Sequence, residues 1–493
     1  LYIGLHHHRA GVGVYRMRTD TGDIIPWTWR EDGKTKSEID RVVYTPDQLA
    51  EPPLSSHVWE AIQTGTLGIA HAQGSLTGLA VDDEYLYVSL RPDNRITVLD
   101  RKAARTVREL DVPRPASVAA GPDGDLYVLT DGALARLDPG SGELTTLVPA
   151  ASDALNRPVA LHVAANGEIY VSDWGRAMQV KVFSTDGKLR RRIGKDGGRA
   201  LQGPWQPDGM LLPRGLAVDE RGRLWVAEFV YAPKRFSVWD AESGKLLKDY
   251  IGPARYGGNG PAVAEWDQTL AFGEGVEFEL DWRNGGYRPE SVFARRARHP
   301  LALFGNLDLL HTGRQGWRTM KVMRYEGRVF CILRNPFPVI YEKIDGTWQP
   351  RAAVGTTHFF GRRYYWPDKT ILDAIPGYTW SLKKELPRYE SGIWSRRVRP
   401  QSWGDLNFIW VDRNGDSLAQ ADEFQTVPLK KEKKPGVHTR WTGLSDVGPD
   451  MTVYVRSARI PLAGWTDSGA PEYRMEDVVA LGFEDDFLAT GDH

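Results

Sequence analysis

Apolar and polar positions recur along this chain as one short phrase. It appears as Glu84-Tyr85-Leu86-Tyr87-Val88, Gly124-Asp125-Leu126-Tyr127-Val128, Gly167-Glu168-Ile169-Tyr170-Val171 and Gly222-Arg223-Leu224-Trp225-Val226. The aromatic positions 87, 127, 170 and 225 lie 40, 43 and 55 residues apart. A short apolar run of small residues precedes each phrase, at 78–81, 117–120, 160–163 and 215–218. Between run and phrase stands an Asp/Gly turn such as Pro122-Asp123-Gly124, which supplies the positive φ of a tight hairpin. A third segment alternates with period two, as in Arg95-Ile96-Thr97-Val98-Leu99, Val180-Lys181-Val182-Phe183 and Arg235-Phe236-Ser237-Val238-Trp239, the mark of a half-buried strand. Gly142, Gly187 and Gly244 then turn the chain into a fourth, Leu-containing strand. Four strands per unit, at this period, predict an all-β fold of the β-propeller type.

Weaker copies extend the series. Glu326-Gly327-Arg328-Val329-Phe330-Cys331, Phe408-Ile409-Trp410-Val411 and Thr452-Val453-Tyr454-Val455 each fit the second strand of a further unit. Leu1-Tyr2-Ile3 and Val12-Gly13-Val14-Tyr15 fit the later strands of a unit whose first strand is absent, so the chain is expected to begin mid-blade, within a longer protein. The prediction is a single propeller over 1–493 of about seven four-stranded blades, within a range of roughly six to eight. Clear blades occupy 76–252, degenerate ones 253–493 and a partial one 1–25. Insertions are expected at 23–75, 253–318 and 356–405. Loops of that length are functional or disordered, and the Arg, Trp and Tyr in the last two argue against disorder.

Composition narrows the function classes. A net charge of -1 argues against nucleic acid as the main partner, which requires a basic excess. No run approaches the ~18 apolar residues of a membrane-spanning helix. The single cysteine, Cys331, lies in the apolar run Val329-Phe330-Cys331-Ile332-Leu333 and reads as a small buried hydrophobe.

The phrases Ile169-Tyr170-Val171-Ser172-Asp173-Trp174 and Gly215-Leu216-Ala217-Val218-Asp219 resemble the NHL-repeat family of β-propellers, most clearly over 76–252. Members of that family include protein- and RNA-binding platforms, secreted bacterial modules, and lyases or lactonases with a metal at the propeller axis. The resemblance implies a propeller and leaves the activity open.

The sharpest chemical motif is the run from Asp412 to Glu423. Asp412, Asn414, Asp416, Gln420 and Glu423 occupy positions 1, 3, 5, 9 and 12 of an EF-hand-like calcium loop, with the Leu418 carbonyl at position 7. Calcium takes about six to eight oxygens, and this spacing wraps them round one point. Ser417 replaces the Gly of position 6, and the run follows a strand instead of a helix. The alternative is an acidic hairpin turn. Such loops without a helix pair recur in secreted bacterial proteins, and the expected role of Ca2+ is structural.

His6-His7-His8 is expected in a loop at one mouth of the ring, where His6 and His8 would converge. His162 falls on an inner strand near the axis. These are the candidates for catalysis or for a second metal, set against locally hydrogen-bonded or core histidines. Trp317, Arg318, Arg362, Arg363, Tyr364, Tyr365, Trp366 and Trp394 combine rings that stack on sugars with forks that hold carboxylate or sulfate. The same set suits a protein interface or packing between blades. The sequence therefore points to an extracellular or periplasmic, calcium-stabilised binding module for a glycan or protein, within a larger assembly. The alternative is a metal-dependent lyase or hydrolase of a polysaccharide, ester or lactone at the central channel.

Overall fold

The computed structural model describes residues 1–7, 11–38, 40–44, 76–103, 105–200, 203–229, 233–252, 262–273, 276–292, 320–334, 337–357, 369–384, 388–390, 393–395, 398–402, 406–429, 437, 440–441, 446–455 and 458–481. Its centre is four successive antiparallel meanders, each four-stranded with strands in chain order. The first comprises Leu76–Val81, Tyr85–Leu90, Arg95–Asp100 and Thr106–Asp111. The second comprises Pro115–Ala120, Leu126–Thr130, Ala133–Leu137 and Leu144–Val148. The third comprises Pro158–Val163, Ile169–Asp173, Gln179–Phe183 and Leu189–Ile193. The fourth comprises Pro213–Val218, Arg223–Glu228, Lys234–Asp240 and Leu246–Gly252.

The opening strands of neighbouring meanders lie side by side. Thr77 Oγ1 donates to the Pro115 carbonyl at 2.8 Å, and the Leu161 amide donates to Ser117 Oγ at 3.1 Å. The approach is close enough to demand small residues: a Cβ on Gly78 would stand 2.6 Å from the Ala116 carbonyl oxygen. The faces of the meanders stack in series around these strands. One apolar cluster joins Tyr87, Ile96 and Val98 of the first to Val118, Leu126 and Val128 of the second. Further clusters join the second to the third and the third to the fourth. Sheets stacked face to face around converging inner strands make this a β-propeller.

The repeated aromatic has a reason beyond packing. Tyr87 and Tyr127 donate from their buried rings to Asp82 and Asp123, each at 2.6 Å. Tyr170 donates to Glu168 at 3.0 Å, and Trp225 Nε1 to Asp219 at 2.9 Å. The Tyr87, Tyr127 and Tyr170 rings fill the space between meanders, and all four polar tips are tied to their own hairpin turns, as partly or fully buried polar groups require. Burial pushes the Tyr170 phenol up to about 12, so it remains a donor at neutral pH.

Glu168 is held further by Arg191, whose Nη1 and Nη2 each reach it at 2.6 Å. That pairing lowers its carboxyl to about 2. A folded-state value below the unfolded one contributes stability that is present above the unfolded pKa and is lost as pH falls through the folded one. Urea melts should therefore show wild type more stable than Glu168→Gln at pH 6, with the gap closing between about pH 4.5 and 2. A gap that stays constant over that range would rule out this origin.

Outside the four meanders the structure departs from the pattern of the sequence. The stretch 253–318, expected as an insertion, contains the strands Ala262–Ala264, Asp267–Gly273, Val276–Asp281 and Gly286–Val292, which form a meander joined by Gly203–Pro204. Its polar positions conceal it: Glu277 is buried where the phrase would place an aliphatic residue, and is satisfied by Lys343 and Ser291. Phe408–Val411, expected as the second strand of its own unit, lies within Leu406–Val411 and pairs with Thr347–Thr356 in a six-stranded sheet that begins at Met320–Tyr325. The 10-residue strand Thr347–Thr356 is long enough to be paired on both sides. The stretch 356–405 falls between those two paired strands and contains the α-helix Lys369–Ala374.

The stretch 23–75 contains the hairpin Trp27–Glu31/Lys34–Glu38 and the strand Asp40–Tyr44. That strand joins Tyr2–His7 and Gly11–Arg16 in one sheet, with Tyr2–His7 at its edge among the described residues. Trp27 is buried against Leu86 and Val88 of the first meander, beneath the Arg16 guanidinium at 4.5 Å. Cys331 is fully buried, as expected.

Candidate functional site

The run from Asp412 leaves the strand Leu406–Val411 and folds on itself. Asp412 Oδ1 accepts the amides of Gly415 at 3.1 Å and Ser417 at 3.0 Å. Asp416 Oδ1 accepts the Leu418 amide at 2.8 Å, and Asp416 Oδ2 accepts Gln420 Nε2 at 2.7 Å. Asn414 Oδ1 accepts the Asp416 amide at 2.9 Å. Ser417 adopts φ +61°, so it makes the left-handed turn usually assigned to glycine at position 6. Glu423 Oε1 accepts the Arg413 amide at 2.8 Å and Oε2 the Trp410 indole at 3.1 Å. The donor set is entirely oxygen, and Gln420 Oε1 is buried with no hydrogen-bond partner.

A guanidinium already serves this loop. Arg351, only 2% exposed, ion-pairs with Asp412 Oδ2 and donates to the Ser468 carbonyl at 2.6 Å. Burial still pushes the Asp412 carboxyl above its ordinary range, and it does the same to Glu423. Among the described residues, no three His, Cys, Asp or Glu side chains converge as a metal site.

His162 lies on Pro158–Val163, opposite Tyr170 in register. Its counterparts on the neighbouring opening strands are small: Ala119 pairs with Tyr127 and Ala217 with Trp225, as His162 does with Tyr170. The imidazole is half-buried, its Nε2 has no hydrogen-bond partner, and burial holds its pKa below the ordinary value. His6 lies in the strand Tyr2–His7 opposite Val12, not in the loop expected; the strand runs on because its partner extends to Gly11. His8, Trp317, Arg318, Arg362, Arg363, Tyr364, Tyr365 and Trp366 lie outside the described residues. Trp394 is in the short strand Ile393–Ser395, opposite Tyr389.

An aromatic surface on the fourth meander was missed by the sequence reading. Along Lys234–Asp240 the expected alternation is inverted: Arg235 is 1% exposed and Phe236 52%. Phe236 is the register partner of Tyr250, which stacks on Trp225 at 5.9 Å. The adjoining Ile251 amide donates to Tyr287 Oη at 3.0 Å, and Tyr287 meets Phe278 edge-on at 5.7 Å. Phe236, Tyr250 and Tyr287 are exposed, as is Trp282 on the same hairpin as Tyr287. The inversion follows from the other face, where Glu228 and Asp249 await a cation. Arg235 reaches Glu228 at 3.0 Å and Asp249 at 2.7 Å, and Arg199 reaches Glu228 at 2.7 Å. Both guanidinium groups lie against the Trp205 ring. The sequence carried no local signal for this, because Arg235-Phe236-Ser237-Val238 follows the ordinary period-two alternation.

Comparisons with known proteins give only distant likenesses. No family model matches the chain, and no curated protein matches it. Among solved structures it is similar to virginiamycin B lyase from Staphylococcus aureus, at 12% identity and TM-score 0.29 over 56% of this chain and 83% of that one. It is similar to a gluconolactonase from Xanthomonas campestris at 16% identity and TM-score 0.30, over 57% and 91%. Hydrazine synthase from Kuenenia stuttgartiensis matches at 11% identity and TM-score 0.30, over 83% and 96%. Likeness at this level carries no argument about activity.

Proposed function

We propose that the chain is an extracytoplasmic, NHL-like propeller that acts as a binding module for a glycan or protein, with calcium bound at 412–423 as a structural ion. The observation that carries the binding reading is the exposed aromatic surface of Phe236, Tyr250, Trp282 and Tyr287. Flat rings held in place by Trp225 and by the Ile251 amide suit stacking on sugar rings, and they suit a protein interface equally. Exposed apolar groups clustered in this way mark interaction sites. The oxygen-only donor set and the unpartnered Gln420 Oε1 support the calcium reading. Asp412, Asn414, Asp416, Gln420 and Glu423, with the Leu418 carbonyl, would hold the ion, which would then compete with Arg351 for Asp412.

The test is a Phe236→Ser/Tyr250→Ser double variant. Both side chains face solvent, so its melting should stay close to wild type while binding to neutral or acidic oligosaccharides, or to a purified protein partner, falls roughly tenfold or more by calorimetry. Unchanged binding sinks the assignment. A second reading, a metal-dependent lyase or hydrolase acting in the channel, is favoured by one observation: the half-buried His162 imidazole, whose Nε2 has no hydrogen-bond partner and whose pKa burial lowers. Turnover of a lactone or polysaccharide that disappears in His162→Ala would move the function there.

A further inference from the structure

Where the opening strands begin and the second strands end, four side chains of the third and fourth meanders stack in series. The Arg157 guanidinium lies 5.9 Å from the Trp174 ring centre. Trp174 stacks on Phe229 at 5.9 Å and 24°, and the Arg214 guanidinium covers Phe229 at 4.5 Å. The base of the stack is firmly placed. Trp174 is buried and donates from Nε1 to the Pro213 carbonyl at 2.6 Å. The amides of Asn156 and Arg157 donate to Asp173. A Cβ on Gly175 would lie 1.9 Å from Asn156 Oδ1, so the backbone is drawn tightly against that side chain.

Arg157 itself is unfinished. Its Nη2 is buried with no hydrogen-bond acceptor. Asp173, which accepts the Arg157 amide, has its charge met by the buried Lys181 at 2.6 Å. Burial lowers the Arg157 pKa, with no opposing charge to restore it. The fully buried arginines differ: Arg199, Arg235 and Arg351 each pair with a carboxylate. A buried donor on a charged group left without an acceptor is costly to keep in that state. Arg157 is half-buried over an aromatic ring, and a guanidinium with a nitrogen left without an acceptor is the group that takes a planar or tetrahedral oxyanion by parallel N–H bonds.

We propose that Arg157 anchors an oxyanion-binding site at this mouth of the propeller, taking a carboxylate, sulfate or phosphate group of a ligand that lies along the Trp174–Phe229 stack. This goes beyond the binding reading above, because it uses neither the outer aromatic surface nor the 412–423 loop. The full chain would be titrated calorimetrically with glucuronate, sulfate and inorganic phosphate, each against chloride at matched ionic strength. Saturable binding of at least one is expected, and the anion preferred tells a carboxylate ligand from a sulfate or phosphate ester. Arg157→Gln should weaken that binding roughly tenfold or more. Arg157→Lys, which keeps the charge and loses the fork, should weaken it less. Arg190→Gln, on an exposed outer-strand position, should leave it unchanged. Circular dichroism and melting verify that the variants fold; should Arg157→Gln fail to fold, Arg157→Lys decides. No saturable binding by wild type, unchanged binding in both Arg157 variants, or an equal loss in Arg190→Gln overturns the proposal.

Discussion

Glu228→Gln should destabilise the protein by about 3–5 kcal/mol, a large part of the ~5–15 kcal/mol that holds a typical domain folded. The Glu228 side chain is fully buried and is the carboxylate shared by Arg199 and Arg235, themselves 2% and 0% exposed. Removing its charge while keeping its volume leaves two buried guanidinium groups facing Asp249 alone. Asp249 cannot compensate both: burial already pushes its carboxyl above the ordinary range, with Arg235 opposing that shift. Adding Arg199→Met to Glu228→Gln restores the charge balance and should recover part of the loss. The coupling energy of the double-mutant cycle should lie within about 0.5–3 kcal/mol. Denaturant melts of the four proteins check this, and strictly additive effects would show that the network is not energetically connected.

Arg351→Met should have a comparable effect, about 3–5 kcal/mol in the presence of chelator, because it strands the buried Asp412 carboxylate. Arg351 also ties the Ser468 carbonyl, and Ser468 donates back to the Asp412 carbonyl at 2.8 Å, so the turn at 466–470 loosens with it. Calcium changes the expectation. An ion at 412–423 supplies the positive charge that Arg351 otherwise provides, so wild type should melt higher in calcium than in chelator, by an increment set by RT ln(1 + [L]/Kd). The loss caused by Arg351→Met should also shrink when calcium is added. Thermal melts in calcium, magnesium and chelator, with elemental analysis of the purified protein, test both statements. No bound metal and no calcium-dependent shift in either protein would leave the run as an acidic hairpin turn.

The fold was legible where local chemistry and global packing coincide. In the four central meanders the aliphatic positions of the phrase, such as Leu86, Leu126, Ile169 and Leu224, are all buried, and the polar turns are turns. It was illegible where polar groups are buried in pairs. Glu277 is buried where the phrase would place an apolar residue, its charge met by Lys343 from another sheet, which hides the meander at 262–292. Arg235 and Phe236 exchange inside for outside because Glu228 and Asp249 come from other strands, a partnership that a linear pattern does not display. The ligand spacing of 412–423 was visible in sequence, but Arg351 was not: it reaches Asp412 from 61 residues away. Arg157 looked like any other arginine; a covered Nη2 without an acceptor, beside a carboxylate already paired with Lys181, is visible only in the fold.

The ties between aromatic tip and turn carboxylate reach no further than six residues along the chain, from Asp82 to Tyr87, Asp123 to Tyr127, Glu168 to Tyr170 and Asp219 to Trp225. Each therefore travels whole with its hairpin when a segment of this size is duplicated. A copied unit arrives with its own buried polar group already answered and asks of its neighbours only an apolar face. The ring can thus grow by gene duplication and accept drift in acid type and spacing, Asp or Glu at two to six positions, one hairpin at a time.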